Sequence, residues 1–280
     1  MSGPLCTPCC CGRPSPGWTE AVARPAARST RSASDRLLAV LGAFDPGSPA
    51  LSLAEISRRA DLPLTTAHRL VGALAAWGAL ERDESGGYHI GLRLWELGAL
   101  APRGLMLREA AMPFLEDLYE STHENVHLAV RDGLEVVYIE RISGRSAVGV
   151  LSRVGARWPL HATGVGLVLL AHGGAELQAE VCAGGLASFT PYTVTDPARL
   201  RRMLAEVRRT GCAVSDRQIT DDALSVAAPV RGARGDVVAA VSVVVHVDQA
   251  RTFALIPAVR LAGLGISRAL GWRPGGAAAC

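Results

Sequence analysis

Several short stretches of this chain carry residue types that do chemistry. His123-Glu124-Asn125-Val126-His127 has the H-E-x-x-H spacing of zinc proteases. On a continuous helix that spacing stacks two imidazoles one turn apart, with the glutamate beside a metal-bound water. Trp158-Pro159-Leu160-His161-Ala162-Thr163-Gly164-Val165-Gly166 brings two glycines to the start of an apolar run. Glycine lets backbone approach a ligand closely, and a helix starting there aims open N–H groups at a small carboxylate. The third glycine of a dinucleotide fingerprint is missing. Thr65, Thr66, His68 and Arg69 gather hydroxyl, imidazole and guanidinium groups, the kinds that bond base edges and phosphates. Cys6-x-x-Cys9-Cys10-Cys11 has ligands for a metal or redox site, yet no second Cys or His pair follows at zinc-finger distance. A Ser-His-Asp set could be drawn from serines with His161 and Asp216, but there is no G-x-S-x-G elbow to present the nucleophile.

Each stretch depends on the element that holds it. Residues 107–122 read as an amphipathic helix with Leu107, Ala111, Phe114, Leu115 and Leu118 inward and a kink expected at Pro113. That helix ends near Thr122. Residues 126–131 alternate as a strand and stop at an Asp132-Gly133 turn, so the two imidazoles of H-E-x-x-H would diverge. A zinc-dependent hydrolase using His123, Glu124 and His127 is therefore kept only as the alternative reading.

The threonine-rich cluster sits better. Ser52 and Glu55 form a capping box for a helix carrying Leu53, Ile56 and Ala60 on one face. Asp61-Leu62-Pro63 breaks it, and Pro63 suits the first turn of a second helix. That helix turns Ala67, Leu70, Val71, Leu74 and Trp77 inward and closes at Gly78. Thr65, Thr66, His68 and Arg69 lie near its N-terminal end, the end that meets base edges in a helix-turn-helix, with no acid nearby to repel phosphates. Two strands, Leu80–Arg82 and Tyr88–Ile90, flank a Gly-containing hairpin and read as a wing. Two amphipathic helices and a hairpin also build a small core with no nucleic-acid role. A helix at 34–44 precedes them, ended by Asp45-Pro46-Gly47. Residues 92–98 follow as a helix whose Leu92, Trp95 and Leu97 face either a partner or their own domain.

Beyond, strands are expected at 135–142 and 148–153, and a helix at 164–171. Asp196-Pro197 opens another helix with Leu200, Leu204 and Val207 apolar and Gly211 closing it. Strands at 226–230 and 237–247 and a last helix at 254–270 complete a mixed α+β domain.

The chain has 280 residues, 49% of them apolar, enough for two ordinary domains. No apolar run of membrane-span length is seen, so no membrane partner is expected. All 29 basic residues are Arg, and the formal net charge is +3. It is unevenly spread: +3 over residues 1–31, −1 over 32–104 and +1 over 105–280. The helix-turn-helix stretch is not globally basic, so a local patch of Arg36, Arg58, Arg69, Arg82 and Arg93 would have to serve a duplex, doubled by dimerisation. The first 31 residues are rich in Pro, Gly, Ser and Arg without periodicity or an apolar h-region, and are expected to be disordered. Cys182, Cys212 and Cys280 are scattered, as in a reducing cytoplasm.

Over residues 33–272 the chain resembles the IclR-type transcriptional regulators. The resemblance lies in LAEISRRADLPLTTAHRLVGALAAWGALERD, LREAAMPFLEDLYESTHENVHLAV, LSRVGARWPLHATGVG, TDPARLRRMLAEVRRTGCAVSD and SVAAPVRGARGDVVAAVSV, in that order. It implies a winged helix-turn-helix at 32–91, a linker helix at 92–105, a GAF-like effector-binding domain at 106–273 and tails at 1–31 and 274–280. It further implies a regulator with no catalytic residue, metal or cofactor, acting as a dimer or tetramer on a palindromic double-stranded operator. Thr65, Thr66, His68 and Arg69 are expected in the major groove, and Arg36, Arg58 and Arg82 on phosphates. By position, Val150, Gly164 and Val165 form one wall of the effector pocket, and Ser215, Asp216, Ala223, Ser225 and Ser242 the other. Leu167, Ser215 and Ser225 stand where family members often carry Lys, an acid and Cys. The expected effector is a small organic acid or related metabolite; few fixed charges remain to meet a strong anion beyond Arg153 and backbone N–H groups, which points to a ligand different from the small acids of better-known members.

Overall fold

The structure, a computed structural model, describes residues 31–45, 47–101, 104–144, 149 and 152–273. Val150, residues 1–30 and 274–280, and with them Cys6, Cys9, Cys10, Cys11 and Cys280, lie outside the described residues. Two compact units divide between Trp95 and Glu96.

Reciprocal caps start the first unit. Ser32 and Asp35 cap α1 (Ala33–Leu41), and Ser52 and Glu55 cap α2 (Leu53–Arg59) in the same way. Each box satisfies backbone N–H groups that a helix start leaves open. After α2 the chain turns at Asp61, φ +53°, and Ser57 Oγ donates to the Leu62 carbonyl at 2.6 Å, stitching the turn. Arg31, expected in a free tail, donates to the Ala60 carbonyl at 2.8 Å. α3 (Leu64–Trp77) follows, with Pro63 as its N-cap residue rather than inside its first turn, and left-handed Gly78 closes it. β2 (Leu80–Arg82) and β3 (Tyr88–Ile90) form the hairpin, and β1 (Ala50–Leu51) pairs with the far side of β3. Ile56, Leu70, Val71, Leu74 and Leu80 fill the core.

Trp77 departs from expectation. It is 51% exposed, with the Arg93 guanidinium 5.6 Å from its ring centre. Helical spacing places it on the inner stripe, but Ala79 and Leu80 already close the core at that end. α4 (Leu92–Ala99) starts at Gly91, where an added Cβ would stand 2.3 Å from the Gly78 carbonyl. Glu81 accepts from the Leu92 N–H at 2.8 Å. On α4, Leu94 is half-buried on the first unit's core, while Leu92 and Trp95 are 61% and 68% exposed.

The second unit is a six-stranded antiparallel sheet between two helix layers. Its strands are β4 (Asn125–Asp132), β5 (Glu135–Ile142), β6 (Arg157–Pro159), β7 (Ala213–Asp216), β8 (Ala223–Arg231) and β9 (Val237–His246), in the order β6-β5-β4-β9-β8-β7. α5 (Leu105–Thr122) and α9 (Thr252–Ala269) cover one face, burying Leu115 and Ile266 against Val126, Val241 and Val243. α6 (Gly164–His172), α7 (Gly174–Ala183) and α8 (Pro197–Thr210) cover the other, with Leu170, Leu177 and Leu204 against Ala129, Ala227 and Ala240. Both faces being covered, β9 reads as a near-continuous apolar run rather than an alternating one.

The second unit departs from expectation in several places. The strand expected at 148–153 is not found among its described residues; Ser152 and Arg153 are irregular, and the edge strand is Arg157–Pro159. β7 and α7 were not foreseen, the one too short and the other with only Leu177 and Val181 buried. Pro113, where a kink is expected, lies inside the helical span of α5. α9 has 18 residues and mean hydropathy 1.2, so by length and composition it could cross a membrane. In the fold its Val259, Ala262 and Ile266 lie against the sheet, and Phe253 and Leu261 are exposed.

Candidate functional site

The H-E-x-x-H motif is split between elements. His123 is the C-cap of α5, left-handed at φ +55°, with its N–H on the Tyr119 carbonyl at 2.6 Å. His127 lies in β4 and is 1% exposed. No helix face carries both imidazoles, so the zinc-hydrolase geometry is not formed. His161 is likewise occupied: its Nε2 is 2.9 Å from the Ala187 carbonyl, while Asp216 forms a bidentate pair with Arg217.

His127 belongs instead to a cavity of about 70 Å³ at the N-terminus of α6. Thr163 caps that helix, its Oγ1 accepting from Gly166 N–H at 3.0 Å. Gly164 lets the helix settle on β8. A Cβ there would stand 2.5 Å from Ser225 Oγ and 3.4 Å from Ala227 Cβ. Gly164, Ser215, Ala223 and Ser225 are thus brought together around one space. The other expected residues fall elsewhere. Val165 sends its side chain into the hydrophobic core, and Asp216 lies on a neighbouring groove with Tyr192 and Arg199. Ser242 is 1% exposed in β9 and does not line the cavity, nor does Arg153, which is exposed.

Further lining residues escaped the sequence reading: His127, Tyr138, Ser152, Gln218, Ile219 and Thr220. Trp158 and Thr163, from the glycine-rich stretch, also line it. His127 Nε2 is 2.8 Å from Ser152 Oγ, and its ring meets Tyr138 edge-on at 5.2 Å. Burial, with the nearby Arg141 charge, pushes the His127 pKa down to about 3, so the ring is neutral at ordinary pH. Burial also pushes the Tyr138 phenol up. Gln218 donates to Ser215 Oγ at 3.2 Å and accepts from Val194 N–H at 3.1 Å. Thr193 Oγ1 donates to the Gln218 carbonyl at 2.6 Å, tying the rim loop with Ile219 and Thr220 to residues 190–194. No Arg, Asp or Glu lines the cavity among the described residues. Its alternatives for an anion are backbone N–H groups at the start of α6 and neutral donors.

In the first unit, Thr65, His68 and Arg69 are exposed on α3 and Thr66 is half-buried. Gly72 continues that open face, with nothing within 4 Å of an added Cβ. Arg58 is exposed at the end of α2 and Arg36 is half-buried on α1. Arg82 is exposed on the wing, its guanidinium 5.8 Å from the Tyr88 ring centre. Arg59, beside Arg58, is committed internally to the Ala43 carbonyl, Asp45 and Ser48.

Comparison with known proteins agrees with both units. Residues 33–84 match the model for the IclR helix-turn-helix domain, and residues 101–268 match that for the bacterial transcriptional regulator IclR C-terminal region. The chain is 34% identical over 243 residues to the HTH-type transcriptional regulator XynR of Escherichia coli strain K12, covering 85% of this chain and 96% of that one. It is 33% identical over 230 residues to the transcriptional repressor AllR of the same strain, covering 81% and 83%. A solved structure of an IclR homolog from Microbacterium hydrocarbonoxydans, complexed with 4-hydroxybenzoate, superposes with TM-score 0.82 at 39% identity, covering 85% of this chain and 99% of that one. The Thermotoga maritima IclR structure gives TM-score 0.70 at 27% identity, with 86% and 97% covered.

Proposed function

Because the chain belongs to the IclR family of bacterial transcriptional regulators, we propose that it binds a palindromic operator as a homodimer or dimer of dimers and is switched by a small organic acid. The observation carrying this reading is the polar, solvent-facing start of α3, in a chain whose other unit holds an uncharged, part-aromatic cavity. Thr65, Thr66, His68 and Arg69 read base edges in the major groove. Arg36, Arg58 and Arg82 meet phosphates, which set register without specifying sequence. The protein acts in the cytoplasm, where its operator is. Residues 32–91 serve as the DNA-binding domain, 92–105 as linker and 106–273 as sensor.

A monoanionic carboxylate suits the sensor. It would lie at the first N–H groups of α6, with its body between Trp158 and Tyr138. A dianion would find no side-chain counter-charge in the lining. The 4-hydroxybenzoate bound by the 39%-identical homolog supports this class. Effector and DNA each favour one arrangement of the dimer, so each changes the other's affinity by the same factor. The test is a gel shift against the upstream region of the protein's own gene and its neighbours, with and without aromatic acids. A footprint that responds to an acid is expected; no footprint anywhere in that region would sink the operator reading.

A further inference from the structure

Besides Arg141 Nε, two polar atoms on the α6-facing side of the second unit's sheet are buried without a partner among the described residues: His127 Nδ1 and Ser242 Oγ. They belong to directly paired residues of β4 and β9. His127 lines the cavity and its other nitrogen is held by Ser152, which also lines it. Tyr138 fixes the ring from the edge. Buried polar atoms without partners are rare and costly, and one in a cavity wall is where a ligand group or water belongs.

The neutral ring limits what that group can be. If Nε2 carries the proton and donates to Ser152 Oγ, Nδ1 accepts. If Ser152 donates to Nε2, Nδ1 donates. A hydroxyl serves either case, because it donates and accepts. A carboxylate only accepts and an ammonium only donates, and each would bring charge to a wall with no charged side chain. Arg141 does not line the cavity; its two terminal nitrogens donate to the Ser152 carbonyl and Asn125 Oδ1, and its Nε is buried without a partner among the described residues.

We propose that His127 is the specificity-determining residue of the cavity, bonding through Nδ1 to a hydroxyl at the inner end of the effector while the effector's carboxylate lies at the start of α6. This rests on the cavity being the effector site. The ligand class narrows from small acids to small hydroxy acids. An acid lacking the hydroxyl leaves Nδ1 dry and unpaired, which is the physical source of discrimination.

The full-length protein is titrated by calorimetry with matched pairs of monocyclic aromatic and short aliphatic acids, each parent against its hydroxylated derivative. At least one hydroxylated acid is expected to bind about tenfold or more tightly than its parent. His127→Phe should erase that preference, read as equal affinities within the pair, and His127→Gln should keep part of it. Equal affinities within every bound pair, or no binding of any acid, would overturn the proposal. Ala223→Phe, which fills the cavity, separates the two levels. If it abolishes binding of a pair that shows no hydroxyl preference, the cavity reading stands and the His127 role falls. If acids bind and Ala223→Phe changes nothing, both fall. Should His127→Phe fail to fold, nitrogen-15 NMR of the wild-type imidazole replaces it. The His127 Nδ1 resonance should move with the hydroxylated acid and not with its parent; an unmoved resonance refutes the role.

Discussion

Gly164 shows how little room one residue can have. Alanine there would push a Cβ to 2.5 Å from Ser225 Oγ, on a side chain too short to swing away. Gly164→Ala is therefore expected to cost about 1–3 kcal/mol of stability, and Ser225→Gly added to it should recover much of that, as read by thermal melting. A bulkier residue at 164 would confuse misfolding with loss of effector binding, so Ala223 is the better place to block the cavity. On α3, Arg69→Ala should weaken operator binding by about 5- to 150-fold without lowering the melting temperature, because a side chain bonded to a base edge supplies about 1–3 kcal/mol of recognition. Arg82→Ala should weaken binding evenly across sequences and reduce the salt slope by about 1. An unchanged gel-shift affinity for both would remove these residues from the interface. Thr65, His68 and Arg69 were legible because helical spacing sets them opposite the apolar stripe of Ala67, Leu70, Val71 and Leu74. His127 was not: β4 alternation gives it a face, but only the strands paired on either side say what that face meets.

The elements with strong local signals begin and end where their caps are. Ser52→Ala should cost about 1 kcal/mol, seen as a lower melting temperature of the first unit. Asp196 caps α8 by accepting from Arg199 and Ala198 N–H, and these bonds hold its carboxyl below the ordinary Asp range. A lowered folded-state pKa contributes stability that is present above the unfolded value and lost as pH falls through the folded one. The melting difference between wild type and Asp196→Ala should therefore be fullest near neutral pH and shrink below the usual Asp range. A difference independent of pH would place the cap elsewhere. β6 and β7 were missed for a related reason. Three or four residues carry too little pattern, and they are strands because β5 and β8 offer them open edges.

For the whole molecule, the proposed assembly is tested at α4. Leu92 and Trp95 expose apolar surface that Leu94 does not, and a pair of DNA-reading heads needs an interface that holds them at operator spacing. A Leu92→Ser, Trp95→Ser double variant should lower operator affinity and shift sedimentation toward a smaller species while leaving acid binding untouched. Unchanged sedimentation and affinity would assign α4 to a purely local role.

The amino-acid order by itself determined the two-unit plan, the helix-turn-helix with its wing, and the glycine-rich start of α6. Each rests on neighbours within a few positions: a cap, a proline, a glycine, an apolar stripe. Only the tertiary structure decided that H-E-x-x-H breaks between a helix end and a strand, that Trp77 stays outside, and that His127, Ser152 and Gln218 share a cavity with Gly164. Those outcomes depend on sheet register and on which core space is already filled, and pairings between residues tens of positions apart leave no periodic trace in the chain.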